Sequence, residues 1–426
     1  MSALIIFGLL AILMLTGMPI SISLGLTVLT YLFTMTDVPI EAVAMKLFTG
    51  IEKFEIMAIP FFILAGNFLT HGGVARRMIN FATALVGHWR GGLALGGVLA
   101  CALFAAVSGS SPATVVAIGS ILLPAMVRQG YPVKFGVGVI GTSGGLGILI
   151  PPSIVMVIYA VSTNASIGQL FIAGIIPGLL LASLLMLVTW LVARKRGYPC
   201  LPKASMATRL RALRESIWGL LLIVVVIGGI YSGVFTATEA AAMSAVYAFV
   251  VAVFVYKDMT IRDVPKTLLA SANMSAMILY IITNAVLFSF LLTSEQIPQE
   301  LTSWITGLGL GSVGFLIMVN LLLLAAGNFM EPSSILLITA PLVFPMAMQL
   351  GIDPIHLGVL MTVNMEIGMI TPPVGLNLYV ASGISRLGLT ETTKACAPWI
   401  AVMLLYLILI TYVPAISLWL PNLMFN

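Results

Sequence analysis

The chain has 426 residues, of which 60% are hydrophobic and 8% are charged, and its mean hydropathy is +1.15. Soluble domains carry about 25% charged residues, so this composition excludes a soluble globular protein and indicates one that crosses a membrane several times. The net charge of +5 does not indicate nucleic-acid binding, because the basic residues cluster in loops, where they orient membrane segments.

Apolar runs long enough to cross a bilayer, about 20 residues each, recur along the chain. The first run lacks the basic region and cleavage site of a secretory signal, so we expect it to remain in the mature protein. Two further stretches, near 91–128 and 311–349, carry small and polar residues at their centres and are interpreted as re-entrant hairpins. The nine predicted crossings lie near residues 3–33, 54–70, 133–163, 169–193, 215–235, 238–256, 267–293, 355–384 and 396–419.

The basic residues predict the orientation of the chain. Residues 194–214 hold seven Lys or Arg and no acid, which places this loop in the cytoplasm by the positive-inside rule. Three further groups of basic residues then fall on the same side: 76–134, 257–266 and 386–394. Residues 294–304 and Asp353 carry acids without bases and fall outside. The first hairpin is therefore predicted to enter from the cytoplasm and the second from the outer face.

Three amphipathic stretches mix charged and apolar residues, as helices that lie along a membrane surface do. They are near 37–53, 73–90 and 257–266. For 73–90, a short additional crossing is an open alternative.

The two halves of the sequence repeat. Pro151-Pro152 and Pro372-Pro373 stand 221 positions apart, and two hairpin prolines keep the same offset. The crossing at 215–235 lies between the copies, so the second copy is predicted to be inverted in the membrane. The expected organisation is a first repeat at 1–210, and a linking helix with a second repeat at 211–426. Inverted repeats with broken helices are typical of secondary transporters.

Two broken helices are predicted at these proline pairs. Consecutive prolines remove backbone donors and push the residue before them out of helical geometry. A break leaves free carbonyls at the end of one half-helix and free amides at the start of the next, and these attract a cation and an anion. A simple kink is the competing interpretation for either pair taken alone.

Polar residues in the hairpins and breaks supply candidate ligands. Residues 107–114 (VSGSSPAT) place hydroxyl groups at the tip of the first hairpin, and all-oxygen sites suit sodium. Glu331 and Glu366 are predicted to lie inside the membrane region, where an ionisable group is a functional candidate. The alternatives are helix packing for the glycines, hydrogen bonds to helix carbonyls for the serines, and a helix cap for Glu331.

Other chemistries are not expected from this sequence. It has no glycine-rich phosphate loop with its lysine, which argues against ATP hydrolysis. The three cysteines are far apart in sequence, so neither a disulfide framework nor a transition-metal site is predicted. An intramembrane hydrolase using Ser110 or Ser111 would lack a base, because the histidines fall in loops or interfacial stretches. A channel is a further alternative, but paired broken helices favour alternating access.

Over essentially its whole length, the chain resembles the large membrane subunit (DctM-like) of the tripartite ATP-independent periplasmic (TRAP) transporters. The motifs that carry this resemblance are SGSSPATVVAIGSILLP, GILIPPS, TATEAAA, NFMEPSSILLITAPLVFP and IGMITPPVGLNLYVASGIS. The resemblance implies an all-α polytopic membrane protein of the bacterial inner membrane. Its architecture would be an inverted-repeat transporter of the elevator type, in which two re-entrant hairpins and two broken transmembrane helices slide against a scaffold.

The resemblance also implies a function and partners. The function would be sodium-driven import of an organic acid, a C4-dicarboxylate or alternatively a sialic acid, delivered by a periplasmic binding protein. A separate small four-helix membrane subunit would complete the assembly. Sodium ions would be the coupling ions, and neither an enzymatic activity nor another cofactor is expected.

The expected site residues follow from the same motifs. One sodium site would use Ser108, Ser110, Gly145, Ile148 and Pro151. The other would use Gly327, Gly368, Thr371 and Val374, largely through carbonyl oxygens. The residues that flank the breaks and are expected to meet a substrate carboxylate are Thr142, Ser153 and Asn377. The possible coupling acids are Glu331 and Glu366.

Overall fold

The computed structural model describes residues 2–36, 38–307, 309 and 311–425, with the backbone alone at 304–306. All regular structure within these residues is helical, and short 3-10 or π segments occupy Phe54–Met57, Val251–Val255 and Ile261–Asp263. The α-helices are, in chain order, α1 Ser2–Leu15, α2 Ile20–Met35, α3 Ile40–Thr49, α4 Ala58–His71, α5 Val74–Val86, α6 Gly92–Ser108, α7 Ser111–Arg128, α8 Val133–Ser143, α9 Leu146–Leu149, α10 Ile154–Thr163, α11 Ile167–Arg196, α12 Met206–Tyr231, α13 Ala237–Val250, α14 Val264–Ser294, α15 Ile297–Gly307, α16 Gly311–Gly327, α17 Pro332–Gln349, α18 Pro354–Gly368, α19 Leu376–Ser385, α20 Leu389–Tyr412 and α21 Ala415–Phe425.

Nine helical stretches of the described chain are long and apolar enough to cross a membrane. This agrees with the predicted all-helical, multi-span architecture. The number of candidate spans equals the number of predicted crossings, but the segments are not all the same. The second arms of both predicted hairpins, α7 and α17, are long enough, whereas the predicted crossings at 3–33 and 355–384 are each divided into shorter helices.

The prediction of one continuous crossing at 3–33 is wrong. α1 ends at Leu15 and α2 begins at Ile20, and the two helices pack against each other. Gly17 has a φ of 82°, which favours glycine, and Pro19 lacks the amide hydrogen that a continuing helix requires. The chain therefore turns back between the two helices.

Each predicted hairpin is a pair of helices in contact. α6 ends at Ser108, and Gly109, at a φ of 61°, turns the chain into α7. In the second half, residues 328–331 connect α16 to α17. Both connections are short, so the two arms of each hairpin lie side by side.

Both predicted helix breaks are present at the proline pairs, and the Pro151-Pro152 and Pro372-Pro373 bonds are cis. α8 ends at Ser143 and the short α9 ends at Leu149, and the backbone is extended at Ile150 and Ser153 before α10 begins. In the second half, residues 369–375 separate α18 from α19. The two breaks differ in burial: Pro151 and Pro152 are buried inside the molecule, whereas Pro372 and Pro373 are exposed.

The amphipathic stretches have three different structures. α3 covers most of 37–53, of which Asp37 lies outside the described residues. α5, within 73–90, has 13 residues, fewer than the roughly 20 needed to cross a bilayer, and buries one face against α6. The stretch 257–266 leads through a 3-10 turn directly into α14, and its position along the membrane surface stays a prediction.

The loops predicted to be cytoplasmic gather at one end of the molecule. The Pro199 carbonyl accepts hydrogen bonds from the Tyr131 hydroxyl at 2.7 Å and the Gly91 amide at 3.1 Å. The Arg76 guanidinium forms an ion pair with Asp258 at 3.1 Å. These contacts join sequence-distant basic loops, as the predicted orientation requires.

Candidate functional site: a cavity at the hairpin tips

A cavity of about 300 Å³ lies where the tips of both hairpins meet both helix breaks. Its walls come from the first tip at 109–112, the second tip at 331–333, and residues beside each break. α14 closes the remaining side with Met274, Met277 and Ile278. Both halves of the sequence therefore contribute to the lining of the cavity. α14, which belongs to neither the hairpins nor the breaks, contributes as well.

Four helices begin at this cavity. Ser111 starts α7, Ile154 starts α10, Pro332 starts α17 and Leu376 starts α19, and all four residues line the wall. Ser153 caps α10 and the Glu331 carboxylate caps α17, whereas α7 and α19 begin without a side-chain cap. The amides at the start of α7 and α19 carry partial positive charge and favour an anion. Neither Lys nor Arg is among the described residues that line the cavity.

Most residues of the first expected sodium site cluster around the first hairpin tip. The Ser108 hydroxyl lies 2.9 Å from the Thr114 hydroxyl, which donates to the Ser110 carbonyl at 2.8 Å. Ser110 and Ile148 both line the cavity, and a β-carbon on Gly147 would lie 2.6 Å from the Ser110 carbonyl oxygen. The tip therefore packs directly on the segment before the first break, and its hydroxyl and carbonyl oxygens are the donors that sodium prefers.

The second expected sodium site is equally compact. A β-carbon on Gly368 would lie 2.7 Å from the Gly327 Cα, so the ends of α16 and α18 touch through glycine. The Val374 amide donates to the Asn328 carbonyl at 2.9 Å, which ties the second break to the second tip. The Thr371 hydroxyl donates to the Ile367 carbonyl. At the end of α18, the Ile367 and Gly368 carbonyls accept from the Ile370 and Thr371 amides at 3.1 and 3.2 Å, so a tightened last turn holds the carbonyl oxygens of this region in place.

Asn377 links the two halves of the site. Its Nδ2 donates to the Ser111 hydroxyl at 2.6 Å, and its backbone amide donates to the Met369 carbonyl at 2.9 Å. The side chain is fully buried, and its Oδ1 has no hydrogen-bond partner among the described residues. An unpaired buried acceptor next to the cavity-lining Leu376 is consistent with a polar ligand group at this position.

None of the three expected substrate contacts is among the described residues that line the cavity, and the hydroxyls of Thr142 and Ser153 bond to nearby backbone. The Thr142 hydroxyl donates to the Gly138 carbonyl of its own helix at 2.7 Å. The Ser153 hydroxyl donates to the Ile148 carbonyl at 2.5 Å and accepts from the Met156 amide, so it caps α10 and closes the first break. Both hydroxyls therefore have structural partners.

The two acidic candidates occupy different environments. Glu331 lines the cavity and caps α17, because its Oε1 accepts from the Ser333 hydroxyl at 2.6 Å and from the Ser333 amide at 3.3 Å. Glu366 is fully buried on α18, and neither of its oxygens has a hydrogen-bond partner among the described residues. Its nearest neighbour across the helix crossing is Gly145 of the first interrupted span.

Sequence reasoning missed the wall that α14 provides. Met274, Met277 and Ile278 have the three- and four-residue spacing that places side chains on one helix face, but this spacing is equally typical of packing. Nothing local in the sequence shows that this face lies opposite the hairpin tips.

The histidines lie away from the cavity serines. The His71 ring bonds to the Asn67 carbonyl at 2.8 Å, and the His356 ring bonds to the Ser417 hydroxyl at 2.7 Å. No histidine is among the described residues that line the cavity, so the base that a serine hydrolase requires is not beside Ser110 or Ser111.

A bundle of helices long enough to cross a membrane, with interrupted helices and hairpin tips around one cavity, is the arrangement of a membrane permease. Residues 7–416 match the family described as the tripartite ATP-independent periplasmic transporter, DctM component. A C4-dicarboxylate TRAP transporter large permease protein DctM from Rhodobacter capsulatus is 71% identical over 100% of both chains. The protein of the same name from Pseudomonas aeruginosa is 57% identical over 94% of both chains. The chain belongs to the DctM family of TRAP transporter large permease proteins, as the sequence motifs predicted.

A solved structure supports the fold. The Alcanivorax borkumensis YdaH transporter, described as having an unusual topology, superposes with a TM-score of 0.63 and covers 92% of this chain and 90% of its own. The two sequences are 18% identical, so the likeness concerns the fold alone.

Proposed function

We propose that this chain is the large permease subunit of a sodium-coupled importer of a C4-dicarboxylate. The observation that carries the proposal is the convergence of four helix starts on one cavity that has no basic side chain among its described lining residues. Amide groups can bind a carboxylate, but two carboxylates in a cavity that is lined by Glu331 and by no described basic side chain require compensating charge. Sodium ions at the neighbouring helix ends supply that charge.

The proposed sodium sites lie at the ends of helices that stop beside the cavity. α6 ends at Ser108, α9 at Leu149, α16 at Gly327 and α18 at Gly368, and the carbonyl oxygens at a helix end carry partial negative charge. The first site would use Ser108, Ser110, Gly145, Ile148 and Pro151. The second would use Gly327, Gly368, Thr371 and Val374. Because cation and anion lie beside each other, binding of each strengthens binding of the other, which is the thermodynamic basis of coupling.

The mechanism we propose is an elevator. The two hairpins would be re-entrant and would move together with the two interrupted helices. Each inverted copy, 1–210 and 211–426, would contribute one hairpin and one interrupted helix. α14 would belong to the stationary wall, so that sliding along its Met274 and Met277 face carries the ligand across. Tight contacts within the hairpin and break cluster, such as Asn377 to Ser111, support its movement as one body.

The proposed coupling acid is Glu366. An ionised carboxylate buried without a partner is costly, so this group is stable only when it carries a proton or faces a cation. It lies against Gly145, within the segment assigned to the first sodium site. Glu331, whose carboxylate caps α17, would instead hold the second hairpin tip in shape at the cavity wall.

Partners and location follow from the family. The names of the relatives support a C4-dicarboxylate substrate, and the family description supports a transporter of several components. The partners that we propose are a periplasmic binding protein and a small four-helix membrane subunit, and the location that we propose is the bacterial inner membrane. A sialic acid is the alternative substrate.

Uptake into liposomes tests this function. The permease, its small subunit and the binding protein would be reconstituted, and labelled succinate entry measured with an inward sodium gradient. We expect entry that requires sodium and the binding protein and that unlabelled succinate inhibits more strongly than sialic acid. Entry that is indifferent to sodium would contradict the proposal, and passive flux at channel rates would indicate a pore.

A further inference from the structure

A second cleft lies next to the cavity. Its volume is about 370 Å³, and it is lined by α10, α14 and α17, the helices that also line the cavity. On α14 the last residue that lines the cavity is Ile278, and the first that lines the cleft is Ile282, four residues later. On α17 the corresponding residues are Ser333 and Leu337, again four residues apart. Four residues of α-helix rise about 6 Å, so about one helical turn separates the two spaces.

The cleft opens at the end of the molecule opposite the basic loops. α11 begins at Ile167, directly after α10, and ends at Arg196 in the loop predicted to be cytoplasmic. α14 starts a few residues after Asp258, at the basic end, and its far end lines the cleft through Thr293. In the predicted orientation the cleft therefore faces the outer side of the membrane.

Two lysines are the charged residues among the described residues that line this cleft. The Lys53 ammonium donates to the Val161 carbonyl at 2.8 Å and to Asn164 Oδ1 at 2.7 Å. An ammonium has three donors, so one remains for a ligand. The Lys46 ammonium lies 5.4 Å from the centre of the Phe290 ring, which also lines the cleft. Within the described chain, neither lysine forms an ion pair.

The position of these lysines departs from the charge pattern of the rest of the chain. All 19 Lys and Arg residues are described, and the others belong to the stretches that the sequence places in the cytoplasm. Basic residues on the outer side oppose the positive-inside bias. Glu41, Glu52 and Glu55 belong to the same stretch of sequence but do not line the cleft, so the two lysines are the charges that an anion in the cleft would meet.

We propose that this cleft is an outer anion-binding subsite, in which Lys46 and Lys53 receive the two carboxylates of the incoming substrate before it reaches the cavity. The inference rests on the proposed function for the identity of the anion. Pairing with a carboxylate competes with the bonds from Lys53 to Val161 and Asn164 at the end of α10. The cavity itself has no basic residue among its described lining, so the two spaces differ in how they neutralise the same anion: lysine in the cleft and sodium in the cavity.

This difference supplies a test that does not depend on transport. Ser162 lines the cleft and is partly buried, so Ser162→Cys places a reporter thiol there, in a background where the exposed Cys200 is replaced by Ser. The permease complex in nanodiscs would be treated with a negatively charged methanethiosulfonate reagent, with choline in place of sodium. We expect succinate to slow modification of the thiol about ten-fold, and its neutral dimethyl ester to have no effect.

The lysine variants decide the outcome. In Lys46→Gln/Lys53→Gln, protection by succinate should be lost, and the preference of the thiol for anionic over cationic reagents should fall about ten-fold. Lys46→Gln alone alters an exposed side chain, cannot disturb packing, and should reduce protection in part. Lys203→Gln, in the exposed cytoplasmic loop, is the matched control and should leave protection intact.

Two results would overturn the inference: no protection by succinate with both lysines present, or equal protection in the double variant. Either result would leave sodium-dependent uptake by the unaltered chain unaffected, so failure of the subsite is distinguishable from failure of the proposed function.

Discussion

Gly145 and Glu366 touch where the two interrupted helices cross: a β-carbon on Gly145 would lie 2.6 Å from Glu366 Cγ and 2.7 Å from its Oε1. Both distances are shorter than real β-carbon contacts, so a side chain at position 145 would force the Glu366 side chain to shift. The contact joins the segment assigned to a sodium site with the only buried, unpartnered carboxyl group that the described residues contain. The two halves of the chain therefore contact each other at the point where coupling is proposed.

We predict that Gly145→Ala destabilises the protein and impairs sodium coupling. The added methyl group overpacks the crossing, which typically costs about 1–3 kcal/mol. The measurement is the thermal stability of the purified protein together with the sodium concentration that gives half-maximal uptake. Glu366→Asp shortens the opposing side chain, so adding it to Gly145→Ala should recover stability. A Gly145→Ala variant as stable as the unaltered protein would show that the helices can separate freely here.

Glu366→Gln should separate stability from coupling. The amide keeps the shape of the side chain and removes the ionisable group, so we expect the melting temperature to be retained or raised. If Glu366 is the coupling acid, sodium-dependent uptake should fall at least about ten-fold, the scale of about 1.4 kcal/mol. Uptake with unchanged sodium dependence would remove Glu366 from the coupling mechanism.

For Glu331 we expect the main effect of substitution to be a loss of stability. Because its carboxylate accepts from the Ser333 amide and hydroxyl, Glu331→Ala removes a helix cap and should lower stability by about 1 kcal/mol. Glu331→Asp keeps a capping carboxylate and should lose less. Chemical denaturation in detergent, monitored by helicity, measures both variants. Equal stability of the alanine and aspartate variants would show that the cap does not contribute.

The proposed sodium sites can be tested one at a time. Ser108→Leu fills the first hairpin tip with an apolar side chain, and Thr371→Leu does the same in the second break. Each should abolish the sodium dependence of uptake while leaving membrane insertion intact, because the change is local and apolar. The measurement is sodium titration of uptake alongside the quantity of protein in the membrane fraction. Unchanged sodium affinity in both variants would refute the site assignment.

The sequence predicted the features that have strong local causes. Proline pairs interrupt helices wherever they occur, so both breaks were predicted at Pro151-Pro152 and Pro372-Pro373 and are present. The turn at Gly17 was missed because a single Gly-Met-Pro step is weaker than a proline pair and lies within a long apolar run.

The contents of the site were harder to predict, because they depend on contacts between distant segments. Thr142 and Ser153 were expected to meet substrate, but short hydroxyl side chains bond readily to nearby backbone carbonyls, and both do so. The contribution of Met274 and the approach of Gly145 to Glu366 arise from tertiary packing. No periodicity within one helix encodes such contacts.

The central claim is that sodium ions at the helix ends neutralise a dicarboxylate held at the helix starts. The most direct measurement is the entry of labelled sodium into liposomes that contain the complete complex, driven by an inward gradient of succinate with the loaded binding protein. The account predicts sodium entry that depends on succinate, keeps a constant ratio to succinate entry, and disappears in Ser108→Leu and Thr371→Leu. Succinate that accumulates while sodium entry stays at the level of protein-free liposomes would contradict it.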